Sequence, residues 1–384
     1  MSYDICILGA GMVGGAAALA CANMGYKVAL IDAHDIEPFS SDNPPDLRVS
    51  ALNMHSVTLL KTLDVWSEVR AMRATAYTGL SCWEHEGFKT VFNASDIQAE
   101  QLGFFVENRV LQLALWQSCR EHENIDLLIG HRPVDIDASE ARVVLDDTTA
   151  IQSQIIIAAD GAHSQARAAS KIGVTGWQYA QCANLFTVSI DMGFSAETWQ
   201  QFTPDGPLAF LPMHDNYACL VWYSDKATSD ELMANANTQL TTKIKDTFPN
   251  CLNDFILLDK ARFGLTRQHA NAYSSDRVVL LGDAAHTINP LAGQGVNLGF
   301  KDVAAFADAL RQHNLAQFKD IFTCYEQQRR PQNLLMMSAM DVIYATFSNR
   351  FKPLQLLRNI ALKVADNSGP LKRQVLKYAI GLHK

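Results

Sequence analysis

Three carboxylates stand where an apolar run gives way to a turn. Asp283 follows Val278–Leu281 and Gly282, inside the stretch 276–300, DRVVLLGDAAHTINPLAGQGVNLGF. Asp160 follows Ile155–Ala159 and precedes Gly161, and Asp32 closes the run Lys27–Ile31. Short Val/Ile/Leu runs of this kind suit strands buried on both faces. A carboxylate at the C-terminal end of such a strand faces the crevice where open α/β sheets bind ligands, and can accept hydrogen bonds from hydroxyl or N–H groups there. After Asp283, Pro290 stops regular structure, and Leu291–Gly295 is a small-residue loop leading into the helical pattern Val296–Leu310. Free N–H groups at a helix N-terminus favour negative charge.

The element that would position Asp32 is legible around it. Tyr3–Leu8 reads as a strand, Gly9-Ala10-Gly11-Met12-Val13-Gly14 follows at once, Gly15–Met24 is Ala-rich, and Lys27–Ile31 is a second strand. This is GxGxxG inside a βαβ unit: the first glycine makes the turn, the second admits a pyrophosphate, and the third lets helix and strand pack closely. Asp32 is placed for a ribose hydroxyl. The motif serves FAD and NAD alike. The uncharged stretch Ile5–Met24 has the look of a membrane span or signal, but no basic residue precedes it and the βαβ reading accounts for its glycines. One extended cofactor lying across several strand ends would give the three aspartates a common cause.

Two arginines complete the candidate set. Arg48 sits in DLRVSALN, 46–53, where a long cation could clamp a phosphate or gate a ring, or simply face solvent. Arg109 opens the helical pattern Val110–Cys119, with Asn108 as a candidate cap; a cation there opposes the helix dipole, which marks it for ligand binding.

The rest of the chain supplies scaffold. At 384 residues it suits two interleaved domains, and 48% hydrophobic against 19% charged residues provides a large core. A net charge of −8 argues against a nucleic-acid partner. The eight cysteines have no CxxC spacing, so they read as buried thiols, with no metal site. Leu80–Glu84 and Lys89–Asn93 read as a strand pair, Ile125–Ile129 as a strand, and Val143–Leu145 and Ile155–Ala158 as strands joined through Asp146-Asp147. Leu185–Asp191, Leu208–Pro212, Tyr217–Tyr223 and Phe255–Arg267 read as an antiparallel sheet around a helix at Thr238–Phe248. Trp177, Tyr179, Phe186, Trp199, Phe202, Phe210, Trp222 and Tyr223 could line a pocket for a flat apolar substrate or form sheet core. Phe318–Ala345 reads as a helix broken at Pro331. Beyond it Arg350, Lys352, Arg358, Lys363, Lys372, Arg373, Lys377 and Lys384 face only Asp366, with Leu354, Leu357, Ile360, Ala361 and Val364 at helical spacing. That pattern fits contact with anionic lipid or an acidic partner, or a packed helix with a solvated basic face.

GAGMVG at 9–14, DGAHSQAR at 160–167 and GDAAHTINPLAGQGVN at 282–297 together resemble the FAD-dependent aromatic-ring hydroxylases related to para-hydroxybenzoate hydroxylase, over nearly the whole chain. DLRVSALN at 46–53, ENRVLQLAL at 107–115 and NPLAGQGVNLGFKD at 289–302 narrow the resemblance to the ubiquinone-biosynthesis hydroxylases. WQQFTPDGPLAFLP at 199–212 and LKRQVLKYAIGL at 371–382 look most like the members that add the last ring hydroxyl, to demethoxyubiquinol. The resemblance implies a Rossmann-like α/β FAD-binding domain (1–75, 105–180, 276–330) interleaved with an antiparallel-sheet substrate domain (76–104, 181–275) and a helical C-terminal region (331–384). It implies that Gly9, Gly11, Gly14 and Asp32 hold the ADP half of FAD and that Arg48 and Arg109 contact the flavin. Asp160 would support the pyrophosphate and Asp283 the ribityl chain. Pro290, Gly293, Gln294 and Gly295 would lie against the flavin ring, and Asn297 would also bind the cofactor. A second GxGxxG is absent, so there is no separate NAD domain, and the activity the resemblance implies is NAD(P)H- and O2-dependent ring hydroxylation through a flavin hydroperoxide, with NADPH or NADH binding transiently. The expected setting is cytoplasmic, peripheral at the inner face of the membrane, with a polyprenylated quinol as substrate and a ubiquinone-biosynthesis complex as partner. Hydroxylation at another ring position, a flavin-binding assembly subunit without turnover and a prenyl-lipid reductase are the alternatives. His286 and His214 are candidate proton relays or structural histidines.

Overall fold

The structure is a computed structural model that describes residues 1–190, 196–249, 254–289, 293, 295–366 and 368–381. A six-stranded sheet forms one layer, in the order Ser274–Ser275, Val278–Leu280, Ile155–Ala158, Ile5–Leu8, Val28–Asp32, Ile125–Ile129. All its pairings are parallel except that of the short Ser274–Ser275 edge. Ile5–Leu8 lies centrally, with Ile5 opposite both Val28 and Ile155. All four of its residues are buried, which is why the strand is apolar throughout instead of alternating. Burial of each large aliphatic side chain here stabilises the fold by about 2–3 kcal/mol. Helix Met12–Ala22 packs between helices Asn108–Glu121 and Gly295–Gln312 and is buried almost all round, hence its alanines. The uncharged N-terminal stretch is thus a strand and a core helix. Among the described residues no helix is long and apolar enough to cross a membrane.

The second layer is an eight-stranded sheet, ordered His286–Thr287, Phe255–Ala270, Val174–Ile190, Tyr217–Asp225, Leu208–Pro212, Glu197–Gln201, Gly79–Trp83, Thr90–Asn93. It is antiparallel as expected, except where Glu197–Gln201 runs parallel to Gly79–Trp83. Its side chains alternate with period two. Phe186, Leu208, Phe210 and Leu220 form a core under helices Lys226–Ala234 and Asn237–Thr247, with Leu232, Leu240 and Ile244. Leu185, Ala209, Leu211, Val221 and Tyr223 point the other way, into a cavity. A three-stranded sheet, Val49–Asn53, Gly103–Glu107 and Thr75–Tyr77, lies beside that cavity.

Several local expectations are corrected. Asp146-Asp147 turns Arg142–Leu145 back onto Ala150–Gln152, in a separate three-stranded sheet with Pro133–Asp137; Ile155–Ala158 belongs to the parallel sheet. Asn108 does not cap its helix: Glu107 occupies that position, and the Asn108 side chain accepts from Ser50 Oγ at 2.6 Å. Helix Phe318–Phe347 continues through Pro331. Proline in a helix interior costs about 3 kcal/mol, and here Arg329 and Asn333 on either side are both fastened to Asp302, Arg329 Nε at 2.7 Å and Asn333 Nδ2 at 3.1 Å. The seven described cysteines are free. Burial pushes Cys6, Cys21, Cys82, Cys119 and Cys219 up to about 12, so they act as small apolar groups.

Candidate active site

The three glycines of 9–14 do three different things. Gly9 has φ +93°, and a Cβ there would stand 2.4 Å from the Ala159 carbonyl oxygen. A Cβ on Gly14 would stand 1.8 Å from the Gly9 carbonyl oxygen, so only glycine lets the helix start this close to the strand. A Cβ on Gly11 would meet nothing within 4 Å. That opening lies at the N-terminus of helix Met12–Ala22, which has no side-chain cap and no acid in its first turn. Its free N–H groups therefore face space lined by Gly11, Met12 and Val13, a ready anion site. The loop is pinned from behind, where Trp116 Nε1 and Gln112 Nε2 donate to the Ala10 carbonyl at 2.6 and 3.0 Å. Asp32 accepts from Ala10 N–H at 2.8 Å and His34 N–H at 3.0 Å, beside the same loop.

At the start of helix Gln165–Ala169, capped by Ser164, one Asp160 oxygen accepts from Gln165 N–H at 2.7 Å and Ala166 N–H at 3.2 Å. Its other oxygen is buried and has no partner among the described residues, a position that asks for a donor. The Asp283 carboxylate has no hydrogen bond among the described residues and lines the cavity, as does Arg48. Asp283 opens onto that space yet lies deep in the protein. Desolvation raises its carboxyl above the ordinary value; His286 and Arg48 oppose the shift, and Asp302 adds to it.

The cavity encloses about 600 Å³. It runs from Gly11, Gly161 and Asp283, past Gly293, Gly295 and Ala51, to the apolar face of the large sheet. Trp199, Phe202 and Tyr223 line it as the sequence suggested; Tyr77, Phe105 and Phe263 were not anticipated. Phe186 and Phe210 are sheet core, and Trp222 packs against it. Trp177 is exposed under Arg267, and Tyr179 donates to Asp341 at 2.5 Å. Met340 and Ile343 of helix Phe318–Phe347 line the cavity beside Tyr223 and Phe263, and Leu376 and Ile380 line it beside Tyr77, Leu80 and Leu102, the Ile380 carbonyl accepting from Met54 N–H at 3.0 Å.

Other candidates are engaged with protein. Arg109 forks onto Asp46, Nε at 2.8 Å and a terminal nitrogen at 2.9 Å, and donates to the Pro38 carbonyl; it fastens the loop that leads to Arg48. Asn297 uses its whole hydrogen-bonding capacity: it accepts from Asn53 N–H and Ser56 Oγ and donates to the carbonyls of Ala51 and Gly293. It thereby sets Gly293 against Ala51. Pro290 and Gln294 lie outside the described residues.

Beneath Asp283 lies a buried network that sequence reasoning missed. Asp302, fully buried, accepts from Gly282 N–H at 3.1 Å and from Arg329 and Asn333, and pairs with His286 Nε2 at 2.5 Å. Burial would raise its carboxyl; His286 and Arg329 outweigh that and hold it at about 2. Asn333 also donates to Tyr273 Oη, which meets His269 Nε2 at 3.1 Å. His286 is thus a structural partner of Asp302. His214 also lies outside the cavity lining, beside Tyr217, and burial and the nearby Arg73 lower its pKa while Asp215 opposes.

An open anion site at a helix end, an unpartnered Asp160 oxygen, a free Asp283 and a long cavity between them fit a dinucleotide with a flat ring. The comparisons agree. Residues 2–338 match the family model described as FAD binding domain. The chain is 44% identical to 3-demethoxyubiquinol 3-hydroxylase of Escherichia coli, covering 99% of this chain and 98% of the relative. It is 31% identical to ubiquinone hydroxylase UbiL of Rhodospirillum rubrum, covering 99% and 90%. Among solved structures it superposes on p-nitrophenol 4-monooxygenase PnpA of Pseudomonas putida with TM-score 0.79 at 18% identity, over 99% of this chain and 97% of that one. PqsL of Pseudomonas aeruginosa, solved with 2-aminobenzoylacetate, gives 0.76 at 20% identity, over 91% and 98%. The chain belongs to the FAD-binding-domain family and is an FAD-dependent monooxygenase of that fold.

Proposed function

We propose that this protein hydroxylates the ring of a polyprenylated quinol in ubiquinone biosynthesis, and that the quinol is demethoxyubiquinol. The observation that carries the reading is the cavity: one end is polar and anion-ready, the other is a wall of Trp199, Phe202, Tyr223 and Phe263. The full-length likeness to a relative named for that reaction supports the ring position. Gly9, Gly11, Gly14 and Asp32 would hold the ADP half of FAD, Asp160 the pyrophosphate and Asp283 the ribityl hydroxyls. Arg48, Gly293 and Gly295 would stand nearest the ring, Arg109 and Asn297 setting the segments that carry them.

Bound FAD supplies two-electron reduction by NADPH or NADH and the activation of dioxygen that ring hydroxylation needs. The chain's own part is binding, orientation and exclusion of water. The apolar wall keeps the reacting ring dry. The positive N-terminal end of helix Gly295–Gln312 would favour negative charge on a bound, reduced flavin. No histidine lines the cavity among the described residues, and Asp283 is its carboxylate.

We assign the FAD-binding role to residues 1–75, 105–180 and 276–330, the substrate role to 76–104 and 181–275, and a helical cover to 331–384. The substrate's tail argues for a peripheral place on the inner membrane face, in company with other enzymes of the pathway. The test is the quinone profile, by mass, of cells lacking the gene and restored with wild type or Asp283→Ala. Accumulation of demethoxyubiquinol, cleared by wild type alone, is expected. An earlier intermediate would move the ring position, and rescue by Asp283→Ala would refute the role given to that carboxylate or favour an assembly subunit.

A further inference from the structure

Helix Lys352–Asp366 is turned inside out. A helix packed on a soluble protein presents its apolar stripe inward. Here the inward face is polar. Arg358 and Asn359 are buried, Arg358 paired with the buried carboxylate of Glu84, its Nε at 2.8 Å, and Asn359 donating to the same Glu84 at 2.8 Å. Thr90 Oγ donates to the Leu362 carbonyl at 2.8 Å, and Asp366 accepts from Val91 N–H at 3.1 Å. These polar contacts dock the helix on the strand Thr90–Asn93 and on Glu84. The opposite face carries Leu354, Leu356, Leu357, Ile360, Ala361 and Val364, all exposed, Leu357 at 62% and Val364 at 63%. At 100° per residue the six fall on one continuous arc, with Lys352 and Lys363 along one flank.

Such a face in water is unfavourable, and its surroundings say what covers it. Of the seven Lys or Arg in 350–381, Arg358 is buried against Glu84, Arg350 pairs with Asp205 and Lys372 with Asp366, the segment's one acid, while Lys352, Lys363, Arg373 and Lys377 are exposed, in a chain whose total charge is −8. Asp366 is engaged by Lys372 at 2.9 Å. An apolar arc flanked by exposed lysines on an acidic protein matches an apolar phase behind an anionic surface. The helix also joins two elements that line the cavity, Phe318–Phe347 through Met340 and Ile343 and Pro370–Ala379 through Leu376.

We propose that the outward face of helix Lys352–Asp366 docks on an anionic lipid bilayer, with Leu354, Leu356, Leu357, Ile360 and Val364 in the interface, and that a lipid substrate passes from the bilayer between helices Phe318–Phe347 and Pro370–Ala379 into the cavity. The docking face stands on the surface chemistry alone; the passage rests on the quinol reading above.

The test uses FAD-loaded full-length protein and the double variant Leu357→Asp/Val364→Asp. Both side chains are exposed, so unchanged FAD content and melting temperature establish that the variant is folded. Cosedimentation with phosphatidylglycerol vesicles is expected to be strong for wild type, weak with phosphatidylcholine vesicles, and reduced at least about tenfold in the variant. The variant should turn over a short-tailed quinol in solution as wild type does and lose turnover of a long-tailed quinol held in vesicles. Wild-type affinity of the variant for phosphatidylglycerol would overturn the proposal. So would a wild-type dimer, by light scattering without lipid, that the variant abolishes, because the face would then be covered by a second copy. Loss of long-tail turnover alone, with vesicle binding intact, would also overturn it. Vesicle binding that fails in the variant while neither quinol is hydroxylated by wild type would support the docking face and refute the substrate.

Discussion

Asp302→Asn tests the scaffold beneath the site. Four donors converge on this carboxylate: Gly282 N–H and His286 Nε2 at one oxygen, Arg329 Nε and Asn333 Nδ2 at the other. Asparagine keeps the shape but offers one acceptor, so its own NH2 would face two donors. It also leaves the Arg329 guanidinium, with a side chain 3% exposed, without a counter-charge. Removing one partner of a buried pair costs about 3–5 kcal/mol. Unfolding entropy near 2.1 cal/mol/K per residue gives about 0.8 kcal/mol/K for 384 residues, so the melting temperature should fall by about 4–6 °C. Because Gly282 is anchored on Asp302 and Asp283 follows it, FAD affinity should fall as well. Thermal melts of the FAD-free protein and a flavin fluorescence titration read both effects. Asp302→Asn/Arg329→Met removes the stranded charge and should recover at least half of the lost stability. A single variant melting within about 1 °C of wild type would refute the reasoning, as would a double variant whose loss equals the sum of the two single losses.

Gly11→Val should leave the FAD-free fold within about 1 kcal/mol of wild type, since its Cβ meets nothing and its φ of −68° is ordinary, while FAD affinity falls about a hundredfold or more by fluorescence titration. Gly14→Ala should instead destabilise the fold itself, by several kcal/mol in denaturant, because its Cβ would lie 1.8 Å from the Gly9 carbonyl oxygen. His269 is held neutral: burial first, then the charge of His286, lower it from 6.5 to about 4. The unfolded chain takes up that proton near pH 6.5 and the folded chain only near pH 4. The contribution is therefore complete above pH 6.5 and is lost as pH falls towards 4, by roughly 3 kcal/mol. His269→Gln should flatten that part of the melting-temperature profile. Asp283→Asn should melt like wild type, since its carboxylate bonds to no described residue, yet release FAD about tenfold more readily on gel filtration.

What the sequence made legible was local. The GxGxxG turn, the strands Ile5–Leu8 and Val28–Asp32 and the acids that end the strands are fixed by neighbours a few residues away, where backbone sterics and periodicity speak directly. The parts that stayed hidden join distant segments. Asp302 and Arg329 are 27 residues apart and read as helix-surface charges until the helices Gly295–Gln312 and Phe318–Phe347 pack. The same contact explains why Pro331 does not end its helix. Arg109 was marked as a ligand group because it opens a helix, but Asp46, 63 residues earlier, supplies the anion that position wants. The apolar spacing of 354–364 correctly gave a helix and gave no side: periodicity states that a stripe exists, and only Glu84, 274 residues away, shows that the stripe faces outward.

The central claim is that the cavity between Asp283 and the aromatic wall hosts hydroxylation of a quinol ring. The direct measurement is mass spectrometry of the product formed by purified FAD-loaded protein from demethoxyubiquinol, NADPH or NADH, and 18O2 in ordinary water. The account predicts one hydroxyl added, carrying 18O, in amounts that follow reductant consumed. A hydroxyl bearing oxygen from water, or reductant oxidised with the ring unchanged, would contradict it.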